Sequence, residues 1–339
     1  PFAVILWRTA LTKWVRNSLF ERKILLVGNG RLAEDVISAL NVTPSFGHTI
    51  ADRLQSWPLP EYSGEGDRPR SLLKLARDAR IDHVVVALGD SRGRLPIDDL
   101  LQCKFSGLTV EDGLSFYERI CGKVHIDALK PSWLIFSEGF KCRYGAVVVK
   151  RAFDLVGSAI GLVVLMPLGL LLAALIKLDS RGPVLYRQVR VGEHERPFVL
   201  VKFRSMRTDA EQGTGAVWAK RDDNRVTRIG KWLRLLRLDE LPQLINVFRG
   251  EMSFVGPRPE RPEFVEKLKA DIPYYGFRHS VKPGITGWAQ VRYRYGASIE
   301  DTIEKLRYDL CYIKNRTLLL DVSILIETVK IVLMREGAR

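Results

Sequence analysis

The 339-residue sequence predicts an α/β protein in two parts. An N-terminal Rossmann-like domain on a parallel sheet precedes an α-rich, membrane-associated domain with a proline-broken re-entrant helix hairpin. Three observations carry this. Strand, glycine turn, helix and strand follow one another from Lys23 to Asp90, the order of a parallel sheet with helical crossovers. An apolar run, Leu155–Leu178, has Pro167 near its middle and cations at both ends. The formal net charge of +14 calls for an anionic partner: nucleic acid, anionic lipid or a phosphorylated substrate. The length suits two domains, and 46% apolar residues supply packed cores, which excludes a disordered chain. Four cysteines without a CxxC pair and five scattered histidines offer no zinc spacing, so the thiols read as ordinary ones in a reducing compartment.

Residues 1–22 open with PFAVILWRTALTKWVRN, an apolar tip running into a basic amphipathic stretch, without the cleavage site of a signal peptide. This fits the tail of an upstream membrane helix and linker, or equally a surface helix packed on the next domain. Residues 23–115 form the Rossmann-like domain: KILLVG and IDHVVVALGD are strands and NGRLAEDVISAL is a turn and helix. Gly28-Asn29-Gly30-Arg31-Leu32-Ala33 fits the G-x-G-x-x-G/A pattern that seats a phosphate at a helix N-terminus. Asp52 follows at about the spacing of a ribose-binding acid. The glycines have a plainer reading too, tight turning and close packing. The loop-like Trp57–Pro69 interrupts the pattern, so the nucleotide site is expected to be degenerate or regulatory. Residues 116–149 read as a connecting region with short strands such as GAVVVK.

Leu155–Leu178 admits three readings: a spanning helix, a buried core helix, or a hairpin entering and leaving one leaflet. Buried helices are seldom apolar on every face for so long. Spanning segments carry their Lys and Arg excess on the cytoplasmic side, whereas here Lys150 and Arg151 stand before the run and Lys177 and Arg181 close it. Pro167 removes a donor and bends a helix, and Ser158 is a candidate partner for backbone groups so freed. Two half-helices of about eleven residues each reach roughly 16 Å, one leaflet deep. A re-entrant helix over 152–178 is the favoured reading, with a kinked span second.

Ser180–Met206 mixes cations with strand-like apolar pairs, and KWLRLLRLDELPQLINVF reads as one basic amphipathic helix. Asp239 and Glu240 lie within it beside Lys231, Arg234 and Arg237, which should lower their pKa values. Pattern alone favours a solvated pair salt-bridged at i,i+3 or i,i+4. The sharper alternative is Asp239 as nucleophile toward phosphorus with Glu240 orienting a divalent cation. Arg187, Arg190, Lys202, Arg204 and Arg258 fit a headgroup patch, a solvated face or a phosphate clamp, and prolines on both sides of Arg258 stiffen its backbone. Tyr293 and Tyr295, alternating with Arg292 and Arg294, fit base stacking or a strand with one aromatic face.

Taken together, KRAFDLVGSAIGLVVLMPLGLLLAALIKLDSRGPVLYRQVRVG, VKFRSM, RVTRIGKWLRLLRLDELPQLINVFRGEMSFVGPRPE and VKPGITGWAQV resemble the bacterial sugar transferase family, the monotopic polyprenyl-phosphate hexose-1-phosphate transferases. The resemblance covers about residues 150–339, and the Rossmann-like part resembles the large form, which carries transmembrane helices upstream. It implies transfer of hexose-1-phosphate from a nucleotide diphosphate sugar, such as a UDP-hexose, to polyprenyl (undecaprenyl) phosphate through a phosphosugar-aspartate. That step starts exopolysaccharide, capsule or O-antigen synthesis at the cytosolic face of the bacterial inner membrane. It further implies Asp239 as nucleophile, Asp239 and Glu240 holding Mg2+, and Arg258 of Pro257-Arg258-Pro259 on substrate phosphate. Lys202 and Arg204 fall in the family's basic segment and Pro167 is its helix breaker. Membrane lipid is then the partner and nucleic acid is not, with a homodimer through the first domain or the tail as a further expectation. Two other functions compete: a nucleotide sensor with a decayed transferase domain, against which the intact dyad argues, and a dehydrogenase at Gly28–Gly30, which lacks an acid–base pair.

Overall fold

The computed structural model describes residues 22–42, 48–55, 71–88, 95–129, 131–137, 139–140, 144–210, 225–293, 296 and 298–334. The chain divides into two compact units, Pro1–Phe136 and Ser137–Arg339, and each is described by itself. Within the first, strands β1 (Arg22–Val27), β2 (His48–Leu54), β3 (His83–Val86) and β4 (Thr109–Asp112) form one parallel sheet in the order β2-β1-β3-β4. Helices α1 (Arg31–Val42), α2 (Leu72–Asp78), α3 (Ile97–Phe105), α4 (Gly113–Cys121) and α5 (Pro131–Phe136) complete the unit.

Successive strand side chains point to opposite faces, so a strand covered on both sides is apolar throughout, and KILLV shows this. Ile24 and Leu26 pack with Leu32, Val36 and Leu40 of α1 and Phe116 of α4. Leu25 and Val27 pack with Leu72 and Ala76 of α2 and Leu100 and Cys103 of α3. The expected edge at residue 115 therefore cuts through α4, whose Phe116 and Tyr117 belong to the first core, and the unit continues to Phe136.

The glycine turn is a packing device. Gly28 has φ +144°, and a Cβ there would lie 2.3 Å from the Ala87 carbonyl oxygen, so strand ends approach too closely for any side chain. Gly30, at φ +102°, opens α1. Asp52 does not join them. It pairs with Leu25 in register, three residues before the level of Gly28 and so roughly 10 Å down the sheet, and its carboxylate accepts from the Arg53 N–H.

In the second unit, helix α6 (Tyr144–Asp179) contains the whole apolar run. GAVVVK is its first two turns and not a strand: a helix already propagating adds residues cheaply, and β-branched valines cost it little. The helix is continuous through Pro167, where separate half-helices were expected. Ser158 does not serve the proline either. Its hydroxyl donates to the carbonyls of Asp154 and Leu155, a turn and more before Val163, whose carbonyl the proline leaves without a donor.

One stripe of α6 packs on the unit along its length. Asp154, Ser158, Leu172 and Ile176 are buried, Leu168 and Leu175 join the core of Phe203 and Leu233, and Gly161 rests against Leu244. The other faces stay exposed and apolar, including Val156, Ile160, Val163, Val164, Leu170 and Leu171. This helix is long and apolar enough to cross a membrane.

Strands β5 (Leu185–Val191) and β6 (Pro197–Phe203) pair antiparallel. Helices α7 (Arg228–Leu235) and α8 (Gln243–Arg249) follow, then β7 (Ser253–Val255), α9 (Pro262–Asp271), β8 (Gly284–Thr286), α10 (Trp288–Arg292), α11 (Ile299–Lys314) and α12 (Leu318–Leu333). Strands β7 and β8 pair in parallel. Of the Arg/Tyr alternation, the described half is not strand: Arg292 ends α10 with its guanidinium 4.3 Å from the centroid of the Trp288 ring, and the Tyr293 hydroxyl donates to Asp301. Arg294, Tyr295 and Cys142 lie outside the described residues, as do all of Trp57–Pro69 and most of Thr208–Asn224. The described cysteines are free thiols.

Candidate active site

The segment expected as one helix is two, and the break holds the acidic pair. α7 ends at Leu235, Arg237 takes a left-handed conformation (φ +53°), and Leu238–Glu240 form a 3-10 turn before α8 begins after Pro242. Pro242 in a continuous helix would clash with the carbonyl of Leu238 and remove a donor. A left-handed non-glycine residue costs about 1–3 kcal/mol and is a common mark of functional sites. It turns Arg237 back toward Glu240, 4.0 Å from Oε2.

Both flanking helices are seated firmly. The Thr227 hydroxyl caps α7 through the Gly230 N–H, and Asp179 at the end of α6 accepts from the Ile229 N–H. A Cβ on Gly230 would fall 2.0 Å from the Ser205 carbonyl, so only glycine lets α7 lie against the chain after β6. On α8, fully buried Asn246 acts as a mock strand. Its Oδ1 accepts from the Val201 N–H, and its Nδ2 donates to the Val199 carbonyl and to Glu251. That fixes α8 against β6 and places Lys202 beside the acidic pair.

Three cations converge on Glu240. Lys202 Nζ donates to Oε1 at 3.2 Å, Arg258 donates to the same oxygen at 2.7 Å, and Arg237 stands by Oε2. Arg258 arrives on a loop whose four successive carbonyls each hold a donor: Pro257 from Gly284, Arg258 from Arg278, Pro259 from Arg190 and Glu260 from Val191. Arg278 is itself buried, donating to Asp309 at 3.0 Å and to the Tyr275 hydroxyl. Nothing in the local sequence of Arg278, Asp309 or Asn246 announces these roles, because each is defined by a distant carbonyl.

Electrostatics separates the neighbours. Burial alone would raise Glu240, but Arg258, Lys202 and Arg237 outweigh it and hold the carboxyl well below the usual range. Asp239 moves the other way, raised by burial and then by the adjacent Glu240 charge, against Lys202, Arg234 and Arg258. The expectation that both carboxyls are lowered is corrected for Asp239. Two carboxyls pushed apart by their surroundings take different roles. Glu240 is the fixed anion that organises the cations, and the half-buried Asp239 accepts no hydrogen bond from the described residues, which leaves its oxygens uncommitted.

Arg204 is not at the site. Its buried guanidinium donates to the carbonyls of Ser180 and Arg181 and to the Ser180 hydroxyl, closing the C-terminal end of α6. Arg187 is exposed on β5, and Arg190 supports the loop of Arg258 from behind. Among the described residues no three His, Cys, Asp or Glu side chains cluster as a metal cage. Glu240 Oε1 is already committed to two cations, which leaves Oε2 and the Asp239 oxygens. Such a pair fits Mg2+ only where a phosphate and waters complete the shell, as Mg2+ commonly binds.

The geometry can now be set beside known proteins. Residues 145–335 match the family model described as bacterial sugar transferase. Over 247 residues the chain is 42% identical to the UDP-N-acetylgalactosamine-undecaprenyl-phosphate N-acetylgalactosaminephosphotransferase of Aeromonas hydrophila, covering 71% of this chain and 56% of that protein. Over 317 residues it is 35% identical to the undecaprenyl-phosphate glucose phosphotransferase of Komagataeibacter xylinus, covering 91% and 58%. It also covers 94% of the exopolysaccharide production protein PSS of Rhizobium leguminosarum bv. phaseoli, at 42% identity over 191 residues, which is 54% of this chain. The chain spans a little over half the length of the first two.

Proposed function

Because the chain belongs to the bacterial sugar transferase family, we propose that it transfers a sugar-1-phosphate from a UDP-hexose to undecaprenyl phosphate. The observation that carries the proposal is the divided acidic pair, a raised Asp239 beside a Glu240 held by three cations. An ionised Asp239 oxygen attacks the β-phosphorus, and the bond from that phosphorus to the bridging oxygen breaks. The nucleoside monophosphate leaves with the bridging oxygen and its electron pair. A phosphate oxygen of the lipid then attacks the same phosphorus. The aspartyl–phosphorus bond breaks, the Asp239 carboxylate is restored, and the product is the polyprenyl diphosphosugar.

Lys202, Arg237 and Arg258 are placed before the reaction to offset charge gathering on the transferred group, and this is the contribution expected to dominate. Mg2+, held by Asp239, the remaining Glu240 oxygen and the diphosphate, would supply further charge neutralisation. Tightening the Arg258 loop through four carbonyls keeps its guanidinium from relaxing toward bulk water.

Water and lipid substrates meet where α6 lies at the membrane surface. Both of its ends dock on the same unit: Lys150 to Asp321 and Arg151 to the carbonyls of α8 at one end, Asp179 to α7 at the other. That supports a helix entering one leaflet from the cytosolic face of the inner membrane over a span helix. Exposed Trp232 and Leu236 of the α7 segment add to its apolar border. The first unit we read as Rossmann-like, with its glycine turn serving packing, and the product as the first lipid-linked unit of an exopolysaccharide, capsule or O-antigen.

The test is Asp239→Asn in vesicles with Mg2+, UDP-sugar and undecaprenyl phosphate. Monophosphate release and lipid product should both vanish, and wild type stopped before lipid addition should carry the phosphosugar on Asp239. Retained transfer in the Asn variant removes Asp239 as nucleophile.

A further inference from the structure

We propose, resting on the reading above, that the cavity beside the acidic pair seats the first isoprene units of the acceptor lipid. The cavity measures about 230 Å3, and its wall includes Leu165 of α6, Leu244 of α8, and Ile331 and Val332 of α12, together with Glu240 and Arg237. One wall is thus hydrocarbon and another belongs to the reacting centre.

The chemistry of the lining selects the occupant. Thr286 and Thr328 also face the cavity, but their hydroxyls are used on one another at 2.7 Å, and Thr328 donates to the Ile324 carbonyl. Gln290 donates its amide to the Ile285 carbonyl and leaves one buried oxygen unpaired among the described residues. Away from Arg237 and Glu240, a hexose or a nucleotide base would bring many polar groups to a wall offering one free side-chain oxygen, and most of their desolvation would go uncompensated. A branched hydrocarbon meets no such cost.

Size fixes how much of the lipid enters. An apolar cavity of about 150 Å3 holds benzene, so this one holds roughly nine carbons, or about two isoprene units. The remainder of the chain must leave along apolar surface, and α6 and α12 supply it: Val163, Val164, Ile326 and Val329 are all exposed. With its first units in the cavity, the lipid phosphate lies by Arg237, next to the phosphosugar that Asp239 would carry. The site thereby selects a branched hydrocarbon close to the phosphate while leaving chain length unread.

Two arms test this on the full chain in phosphatidylethanolamine–phosphatidylglycerol vesicles with Mg2+. In the first, undecaprenyl phosphate carrying a photoreactive group on its first isoprene unit should label wild type at residues 324–332 or around Leu165, and unlabelled undecaprenyl phosphate should compete. Labelling confined to the outer faces of α6 and α12, or equal labelling of the cavity by a photoreactive phospholipid that the prenyl phosphate does not displace, overturns the proposal. In the second, Ile331→Trp fills the cavity. It should keep the stoichiometric burst of nucleoside monophosphate released with sugar nucleotide alone and lose at least tenfold in kcat/KM for the lipid. A variant with both burst and lipid transfer intact overturns the proposal, and absence of the burst in wild type fails the covalent reading instead. Should the variant lose its burst, the labelling arm decides.

Discussion

Replacing Arg204 with Met separates two roles that one arginine in a basic segment could play. Its guanidinium donates at 3.0 Å to the Arg181 carbonyl and at 2.7 and 2.8 Å to the carbonyl and hydroxyl of Ser180, all at the end of α6. Methionine keeps most of the stem and removes every donor. Hydrogen bonds from a charged donor contribute about 1.5–3 kcal/mol each, and the part-buried carbonyls left bare regain only some of that from water. The cation at a helix C-terminus adds a favourable dipole contact. These contributions overlap, so a loss of about 3–5 kcal/mol is expected, which for a unit of this size lowers Tm by on the order of 10 °C. Differential scanning fluorimetry in detergent measures that loss, and KM for the sugar nucleotide measured below the transition should stay within about twofold of wild type. An unchanged Tm with a KM raised tenfold or more would refute this account and return Arg204 to the phosphate.

Asp239 is raised, so its ionised form is the disfavoured one; its stabilising contribution is present below the ordinary aspartate pKa and lost as pH rises through the folded value. Asp239→Asn should therefore raise Tm at pH 8 and not at pH 4, in thermal scans of both proteins. The rate of the monophosphate burst should fall with acid through a pKa above the ordinary aspartate range, and Lys202→Met, by removing a nearby cation, should move that limb to higher pH in stopped-flow profiles. Asn246→Leu leaves the Val201 N–H and Val199 carbonyl without partners and should cost about 2–4 kcal/mol in urea unfolding. Cysteines at Tyr144 and Lys177, both exposed, should react with an impermeant maleimide from the same side of a sealed vesicle, and opposite-side labelling would replace the one-leaflet helix with a span.

What could be read in advance tracks the range over which each feature is defined. KILLV announces a strand buried on both faces because its neighbours are equally apolar, and the structure pairs it on both edges. Pro242 marks a helix break in plain sight, yet the amphipathic pattern of KWLRLLRLDELPQL runs across it and favours one helix. Only the left-handed Arg237 shows how the chain uses the break. Lys202 and Arg204, two residues apart on β6 and its end, carry the same charge in the same basic segment. One reaches Glu240 and the other reaches the end of α6, a difference set by residues 20 to 40 positions away. Asp52 illustrates a related point: spacing along the chain says nothing of register, and only the pairing with Leu25 places it three residues before the level of the glycine turn.

The site's position relative to the membrane follows from α6 rather than from the acidic pair itself. Asp239 and Glu240 sit in a gap between α7 and α8, and both helices are fastened to α6: Asp179 to the start of α7, Arg151 to the carbonyls of Val247 and Phe248 at the end of α8. The same helix holds β7 through Asp154, which accepts from Ser253 and the Phe254 N–H, and β7 leads directly into the loop of Arg258. A charged group can be held beside hydrocarbon only when its partners are supplied by protein, because lipid supplies none. Glu240 meets that condition through three cations delivered by separate elements, two of which trace back to α6 contacts. Shifting α6 would carry Asp239 with it, so under the proposed function the polar anchors at its two ends, and not its apolar length, would set the height at which the two proposed substrates reach that carboxylate.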